Sequence, residues 1–460
     1  MIYVITAVAG IAGFLFGFDE GVIAGALHLL REQFAIDPVS EGLMTAAVPL
    51  GALFGALLGG RTVERYGRRS LLLAAALLFI IGALFSSMAG AVWMLTASRL
   101  VLGLAVGIAA LVAPMYISES APPAMRGMLV SVYQLAITLG IFGAYVVDFV
   151  FDDSWRTMFA LGVVPGVALF AGMFFLRDTP RWLALRGRTQ EARAAIASIN
   201  SLPREHPLVE QELAEIDSIA KEDARAGTLA DLVGPIVRPA LIVGIGLFLL
   251  QQLSGINAVI YYAPVVFKES GFDSASTQLL ATMGIGVVNV VMTFLGMALI
   301  DRIGRRKLLL AGFAGTALSL GMIAIAALAD VEGLDVLAII GLVLYITAFA
   351  ASIGPLPWVM MSEIFPLNVR GIGMGAASLA NWGFNFVVVF SFPVLVSTMG
   401  LGGVFLVYAI ACSIGIVFTL RYVPETNGLR LEEIEHHLKS GKPLRELRAA
   451  NPRETVGAKA

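Results

Sequence analysis

Arg65-Tyr66-Gly67-Arg68-Arg69 follows one long apolar run, and Arg302-Ile303-Gly304-Arg305-Arg306 follows another, 237 residues later. Two further pairs keep the same order. Ser118-Glu119 precedes Arg126-Gly127, and Ser362-Glu363 precedes Arg370-Gly371; the Glu-to-Arg gap is seven residues both times, and the offset is 244. Pro180 and Pro424, each just past the last apolar run of its half, are also 244 apart. One such match is easily chance. Three in one order point to a duplicated unit.

The chain around these pairs is apolar. Of its 460 residues, 58% are hydrophobic and 14% charged, against roughly 45–50% and about 25% in soluble domains. A water-soluble globule has nowhere to put that excess. The composition therefore argues against a soluble enzyme, a disordered chain, a fibre and a nucleic-acid binder. A net charge of −2 gives no basic footprint. The single cysteine, Cys412, allows no internal disulfide. His28, His206, His436 and His437 offer no metal-ligand spacing. No Walker-type phosphate loop exists to bring in ATP, and no Ser-His-Asp arrangement is evident. The sequence implies no enzyme, no metal and no cofactor.

Windows long enough to cross a bilayer, about 20 residues each, fall at 2–30, 43–63, 70–90, 93–117, 127–150 and 156–176. Six more fall at 238–267, 277–300, 307–329, 336–361, 371–398 and 402–422. Their length, and the lack of period-2 alternation, predicts helices rather than a barrel. The first window has no basic n-region and no small-residue cleavage site, and reads as a retained span. The expected fold is an all-α membrane protein: twelve transmembrane helices in two pseudo-symmetric six-helix bundles. The bundles take 1–177 and 238–423, joined by a cytoplasmic linker at 178–237 and followed by a tail at 424–460.

With both termini inside, the outer side carries Arg31, Arg156 and Lys268, Arg99 lies within a span, and the remaining 27 of 31 Lys and Arg are cytoplasmic. Charge is also concentrated: 177–238 holds 19 charged residues and 421–460 holds 14. Within the linker, Val209, Leu213, Ile216 and Ile219 recur at helical spacing, and 189–199 is a second short helix candidate. Leu431, Ile434 and Leu438 repeat the pattern in the tail, so short amphipathic helices are expected on the inner face. No periodicity follows Lys442, which predicts disorder. Short outer loops, the absence of an N-x-[ST] acceptor and a bias of 25 Arg to 6 Lys suggest a bacterial inner membrane.

Together these residues resemble the sugar porter family of the major facilitator superfamily. Glu64-Arg65-Tyr66-Gly67-Arg68-Arg69 and Asp301-Arg302-Ile303-Gly304-Arg305-Arg306 look like its paired loop motif. Gln251-Gln252-Leu253-Ser254-Gly255-Ile256-Asn257, followed by Tyr261-Tyr262, looks like its seventh-span signature. Gly354-Pro355-Leu356-Pro357-Trp358 and Ser362-Glu363-Ile364-Phe365-Pro366 look like its tenth, and Pro424-Glu425-Thr426-Asn427-Gly428 like its closing motif. The resemblance covers residues 8 to 440 and is nearest to bacterial sugar–proton symporters. The facilitative glucose carriers are similar too. Three departures stand out: Glu64 where the family usually has Asp, Arg177-Asp178-Thr179-Pro180-Arg181 after span six, and Glu20, where a small polar residue is more usual.

Candidate function residues follow. Asp19 and Arg99 sit at similar depth, and an ionised group there is costly unless paired or wetted. They are either a fixed salt bridge or a proton site loaded by moving the arginine away; the resemblance implies the second. Gly13, Gly17, Gly21 and Gly25 make a small-residue packing seam on span one, repeated by Gly51, Gly55 and Gly59 on span two. Asp19 and Phe16 lie opposite the first seam.

Span seven carries Gln251, Gln252, Asn257 and Tyr261, groups that donate to and accept from sugar hydroxyls without bringing charge. Their bland alternative is interhelical glue. Two prolines break span ten before Trp358, whose ring can cover the apolar face of a sugar. By resemblance, Gln134, Asn289 and Asn381 match sugar-contacting positions, and Asn385 is one more in-span amide. Glu119, Arg126, Glu363 and Arg370, with Arg65 and Arg302, are expected to form breakable interdomain ion pairs that close an inner gate. The expected partners are a monosaccharide, a proton and the bilayer, with the monomer as working form. The expected activity is monosaccharide uptake by alternating access with proton symport; a passive uniporter and a non-transporting sensor are the alternatives.

Overall fold

The computed structural model describes residues 1–122, 125–222, 228–366, 369–429, 431–440 and 442–447. Eleven helical stretches among them are long and apolar enough to cross a membrane. The first six spans are Ile2–Phe34, Pro38–Tyr66, Arg68–Ser87, Val92–Ser120, Arg126–Val150 and Trp155–Phe175. Spans seven to ten are Arg238–Glu269, Ala275–Ile303, Arg305–Leu328 and Leu334–Ile364. The last stretch, Arg370–Tyr422, is broken at Gly400 (φ 70°, ψ 170°) and supplies spans eleven and twelve. Twelve crossings follow, as the apolar windows predict. Phe175 is 82% exposed and Leu318 75%. Large apolar side chains turned outward on so many spans suit lipid rather than water.

The motif that reveals the duplication also shapes it. Gly67 ends span two and begins span three at φ 89°, and Gly304 does the same between spans eight and nine at φ 93°. A side chain is disfavoured at such φ. A Cβ at Gly67 would also strike the Asp178 carboxylate, and one at Gly304 would lie 2.6 Å from Glu425 Oε2. Those two acids do matching jobs. Asp178 accepts from the backbone N–H groups of Arg68 and Arg69 at 3.0 and 3.3 Å. Glu425 accepts from those of Arg305 and Arg306 at 2.9 and 3.2 Å. Each acid satisfies free donors at a helix N-terminus, where the dipole favours negative charge. Burial pushes the Asp178 carboxyl up, and the backbone hydrogen bonds from Thr179, Arg68 and Arg69 oppose this.

The contacts group the chain into two compact units. The first holds 1–225, 257–290 and 382–401; the second holds 226–256, 291–381 and 402–460. Spans seven, eight and eleven therefore each contribute to both. The glycine seams explain the first unit's packing. A Cβ at Gly13 would lie 2.7 Å from the Tyr133 carbonyl and one at Gly21 2.6 Å from Ala144 Cβ, so span one packs directly on span five. Gly51 and Gly55 meet the Leu100 and Leu104 backbone of span four in the same way. The seams serve packing, as read.

The linker folds as two helices, Thr189–Asn200 and Pro207–Glu222, after a short one at Pro180–Leu185. Val209 and Leu213 join Trp182, Leu183 and Ile196 in a small core of their own, with Ile216 at its edge. The Ile219 and Leu431 side chains lie outside what is described, while Ile434 and Leu438 are buried. One expectation is corrected here. Over residues 443–447 the chain makes a 3-10 turn at Leu444–Glu446, and Leu444 and Leu447 are buried, so burial of two leucines holds a stretch that shows no periodicity; the rest of that expectation, over 448–460, lies outside the described residues.

Candidate functional site

In the first unit, Asp19 and Arg99 come together. Arg99 is fully buried and Asp19 is 2% exposed, with 3.9 Å between Nη2 and Oδ2. The arginine Nε donates to the Met44 carbonyl at 3.1 Å, and its guanidinium lies over the Phe159 ring. Its two terminal nitrogens and Asp19 Oδ2 have no hydrogen-bond partner among the described residues. A guanidinium and a carboxylate at rest normally close into short, paired hydrogen bonds. Here the charges face each other across a gap.

The end of this unit remote from the arginine-rich turns is tightly packed. The Tyr261 hydroxyl of span seven donates to Glu20 Oε1 at 3.2 Å. The Tyr145 hydroxyl of span five donates to the Ile260 carbonyl at 2.9 Å. Gly42 of span two sits against the Phe390 backbone of span eleven. Phe16 tilts onto Trp382, with ring centroids 5.4 Å apart. Asn257 and Asn289 are buried, and Gln134 is half-buried. Several polar atoms in the unit are buried with no hydrogen-bond partner among the described residues: Trp382 Nε1, Asn385 Oδ1 and the Tyr133 hydroxyl. Such atoms need a polar partner from elsewhere.

The second unit gathers Gln251, Gln252, Trp358 and Asn381. Span seven breaks at Ser254-Gly255, where Gly255 takes φ 84°, so the glycine loosens the helix as its sequence implies. Span ten loosens too, into a wide π turn at Phe349–Ile353, and restarts as Leu356–Ile364 with Pro357 in its first turn. Gln251 Nε2 donates to the Ile353 and Gly354 carbonyls, both at 2.8 Å. Both its N–H groups thus serve the loosened backbone of span ten, where Pro357 cannot donate to the Ile353 carbonyl, and only its oxygen is left for a ligand. Gln252 Nε2 donates to Asn381 Oδ1 at 2.7 Å. Trp358 is half-buried and meets Phe248 edge-on at 4.7 Å.

At the arginine-rich end each half builds the same network. Arg68 pairs with Glu64 at 2.7 Å and Glu119 at 2.8 Å, and Thr179 donates to Glu119 at 2.6 Å. Arg305 pairs with Asp301 and Glu363, both at 2.9 Å, and Thr426 donates to Glu363 at 2.5 Å. Here the expected partners are corrected. Glu119 and Glu363 are taken up by arginines of their own halves. Arg65, Arg126 and Arg302 are exposed, with no ion pair among the described residues. Arg370 donates to the Phe365 carbonyl at 3.2 Å. Among the six arginines of the two motif copies, position decides. Arg68 and Arg305 stand four residues after an acid and just inside a helix start, which turns them back to the bundle.

The model of the sugar (and other) transporter family matches residues 5–438. The chain belongs to the sugar transporter family. The transporter is 40% identical to a probable metabolite transport protein of Bacillus subtilis, over 95% of this chain and 94% of that one. It is 37% identical to the galactose-proton symporter of Escherichia coli K12, over 98% and 97%. Among solved structures, it superposes on the inward-open xylose transporter of Escherichia coli with a TM-score of 0.81 at 32% identity, covering 95% of this chain and 99% of that one. The fold is therefore that of the major facilitator superfamily, and the transporter is a multi-pass membrane protein.

Four residues escape a reading of the sequence alone. Arg68 and Arg305 were hidden among neighbouring arginines, although the i,i+4 spacing from Glu64 and Asp301 marks them. Trp382 looked like one more apolar residue of span eleven. Asp148 lies inside the 127–150 window, and nothing local in the sequence marks it as a partner of span one. It is fully buried, accepts from the Gly25 N–H at 3.0 Å and leaves Oδ1 without a partner among the described residues.

Proposed function

We propose that the transporter carries a monosaccharide, a hexose or a pentose, in symport with a proton. The observation that supports the sugar is the set of buried, uncharged polar atoms of the first unit that have no hydrogen-bond partner among the described residues, Trp382 Nε1 and Asn385 Oδ1 among them; the second unit separately holds the paired amides of Gln252 and Asn381. Neutral donors and acceptors suit hydroxyls. A carboxylate substrate would need more cations than Arg99. Gln134, Gln251, Gln252, Asn257, Asn289 and Asn381 supply hydrogen bonds in this reading, and Phe16 and Trp358 supply ring faces.

The proton reading rests on the open gap between Asp19 and Arg99. A closed bridge would hold its charge through the cycle. A pair 3.9 Å apart, with unsatisfied nitrogens, can exchange a proton for an ion pair at modest cost. Both neighbouring relatives named as sugar carriers, for galactose and xylose, fit the same substrate class. The arginine-rich end is taken as cytoplasmic, with both termini on that side of a bacterial inner membrane. The networks around Glu119 and Glu363 then serve as the movable ends of an inner gate. Uptake of a labelled sugar panel into proteoliposomes, with and without an imposed pH gradient, tests both halves. Accumulation of one or two monosaccharides that follows the gradient is expected. Equilibration without accumulation points to passive uniport.

A further inference from the structure

Glu20 lies outside the coupling pair, yet it is 4% exposed in the middle of span one. Among the described residues its one hydrogen bond comes from Tyr261, which is itself fully buried. Among the described residues Glu20 has no ion pair; the nearby cation, Arg99, faces Asp19 and bonds Met44. Its charged and titratable surroundings are Asp19 on the same helix, Tyr133 and Tyr145 on span five, and Tyr261 on span seven. Asp148 lies farther along span five, against Gly25. Tyr261 belongs to the segment of span seven beyond the break at Gly255, and that segment packs with span one in the first unit.

We propose that Glu20 is a second proton-binding residue of the transporter, and that Tyr261 links its proton to the seating of the 257–269 segment of span seven on span one. A lone carboxylate with one hydroxyl partner and no cation is poorly held away from water. A neutral carboxylic acid fits the same place and keeps the tyrosine hydrogen bond. The step is a single proton transfer: a hydronium ion gives up one O–H proton to a Glu20 carboxylate oxygen, leaving a water molecule and a neutral carboxylic acid. When the segment lifts, Tyr261 leaves, water reaches Glu20 and the proton departs. The arrangement thus makes closure at this end of the protein take up a proton that Asp19 does not hold. The idea deepens the proton-coupling reading but does not stand on Asp19.

Infrared difference spectroscopy of the purified full chain, titrated across the pH range, reads the protonated carboxyl directly. The wild type is expected to show a carboxylic C=O band that fades as pH rises, and Glu20→Gln to lack it. Asp19→Asn and Asp148→Asn, run in parallel, assign the bands of those acids. Tyr261→Phe should keep the Glu20 band but move its frequency, because the hydrogen bond is gone. Labelling of Ala263→Cys gives a second readout. Its rate, taken relative to an exposed reference cysteine on the same protein so that the thiolate's own rise with pH cancels, should increase severalfold with pH when Glu20 is present and stay within about twofold in Glu20→Gln. A Glu20→Gln spectrum identical to wild type overturns the proposal. So does a band that Tyr261→Phe leaves unmoved, which covers the case of a poorly folded Gln variant. A wild type that never accumulates sugar sinks the symport reading alone, since neither readout requires transport.

Discussion

Arg99 Nη2 stands 3.9 Å from Asp19 Oδ2, and no hydrogen bond joins them. The arginine is held instead from its Nε by the Met44 carbonyl and by the Phe159 ring. It is therefore anchored without being committed to the acid. Asp19→Asn keeps the size of the side chain and mimics a permanently protonated state. The variant is expected to bind and exchange sugar while losing accumulation against a gradient, because each proton entering supplies roughly 2.3 kcal/mol per 100 mV. Paired assays of uphill uptake and of exchange at zero gradient check this. Accumulation that survives in Asp19→Asn removes Asp19 from the coupling role.

Arg68 is the arginine that matters at the turn after span two. Its side chain is 3% exposed and reaches both Glu64 and Glu119. Arg68→Ala leaves Glu119 with Thr179 alone, at an expected cost of about 1–3 kcal/mol. Arg65→Ala removes an exposed side chain and should change stability by less than about 0.5 kcal/mol. Thermal unfolding of the purified variants compares them. Equal losses would show that the motif acts through its total charge, not through this pair.

Much of this architecture is legible in the chain. Apolar windows gave twelve crossings because helix length in a bilayer is set by thickness. The repeated glycine and carboxylate positions were visible because backbone geometry at Gly67 and Gly304 admits few residues. The loosened helices at Gly255 and Pro355 follow from single residues too. Pairing was not legible. Whether Glu119 meets Arg68 or Arg126 depends on which side of a helix start each arginine takes. Asp148 falls inside the 127–150 window, but no local pattern shows that Gly25, 123 residues away, opens the space beside it. Span seven showed its amides but not their division, with Gln251 held by span-ten carbonyls and Tyr261 by Glu20.

Trp358 is half-buried and braced edge-on by Phe248 at 4.7 Å, which holds its ring in one orientation. Stacking on a sugar needs a ring more than an indole N–H. Trp358→Phe should keep part of the sugar affinity, and Trp358→Ala should lose about 1–2 kcal/mol, roughly five- to thirty-fold in Kd. Isothermal titration of both variants decides the matter. Indistinguishable affinities for Phe and Ala would mean that this ring is packing for Phe248 and not a platform.

Gln252 and Asn381 offer the sharpest test of binding against glue. Their amides meet at 2.7 Å, linking span seven to span eleven within the second unit. If the pair only fastens helices, Gln252→Ala lowers the unfolding temperature and leaves sugar affinity alone. In the binding reading the contact orients two amides of a kind that can donate to and accept from a hydroxyl. Either alanine variant should then weaken sugar binding by about 1–3 kcal/mol, while thermal stability falls by less. The double variant adds a second check. Two residues in one network are not additive, so a cycle of Gln252→Ala and Asn381→Ala should show a coupling of about 0.5–3 kcal/mol in binding free energy. Strict additivity in binding, together with coupling in stability, would place the pair among the fasteners and move the sugar to the unpartnered groups of Asn385 and Trp382.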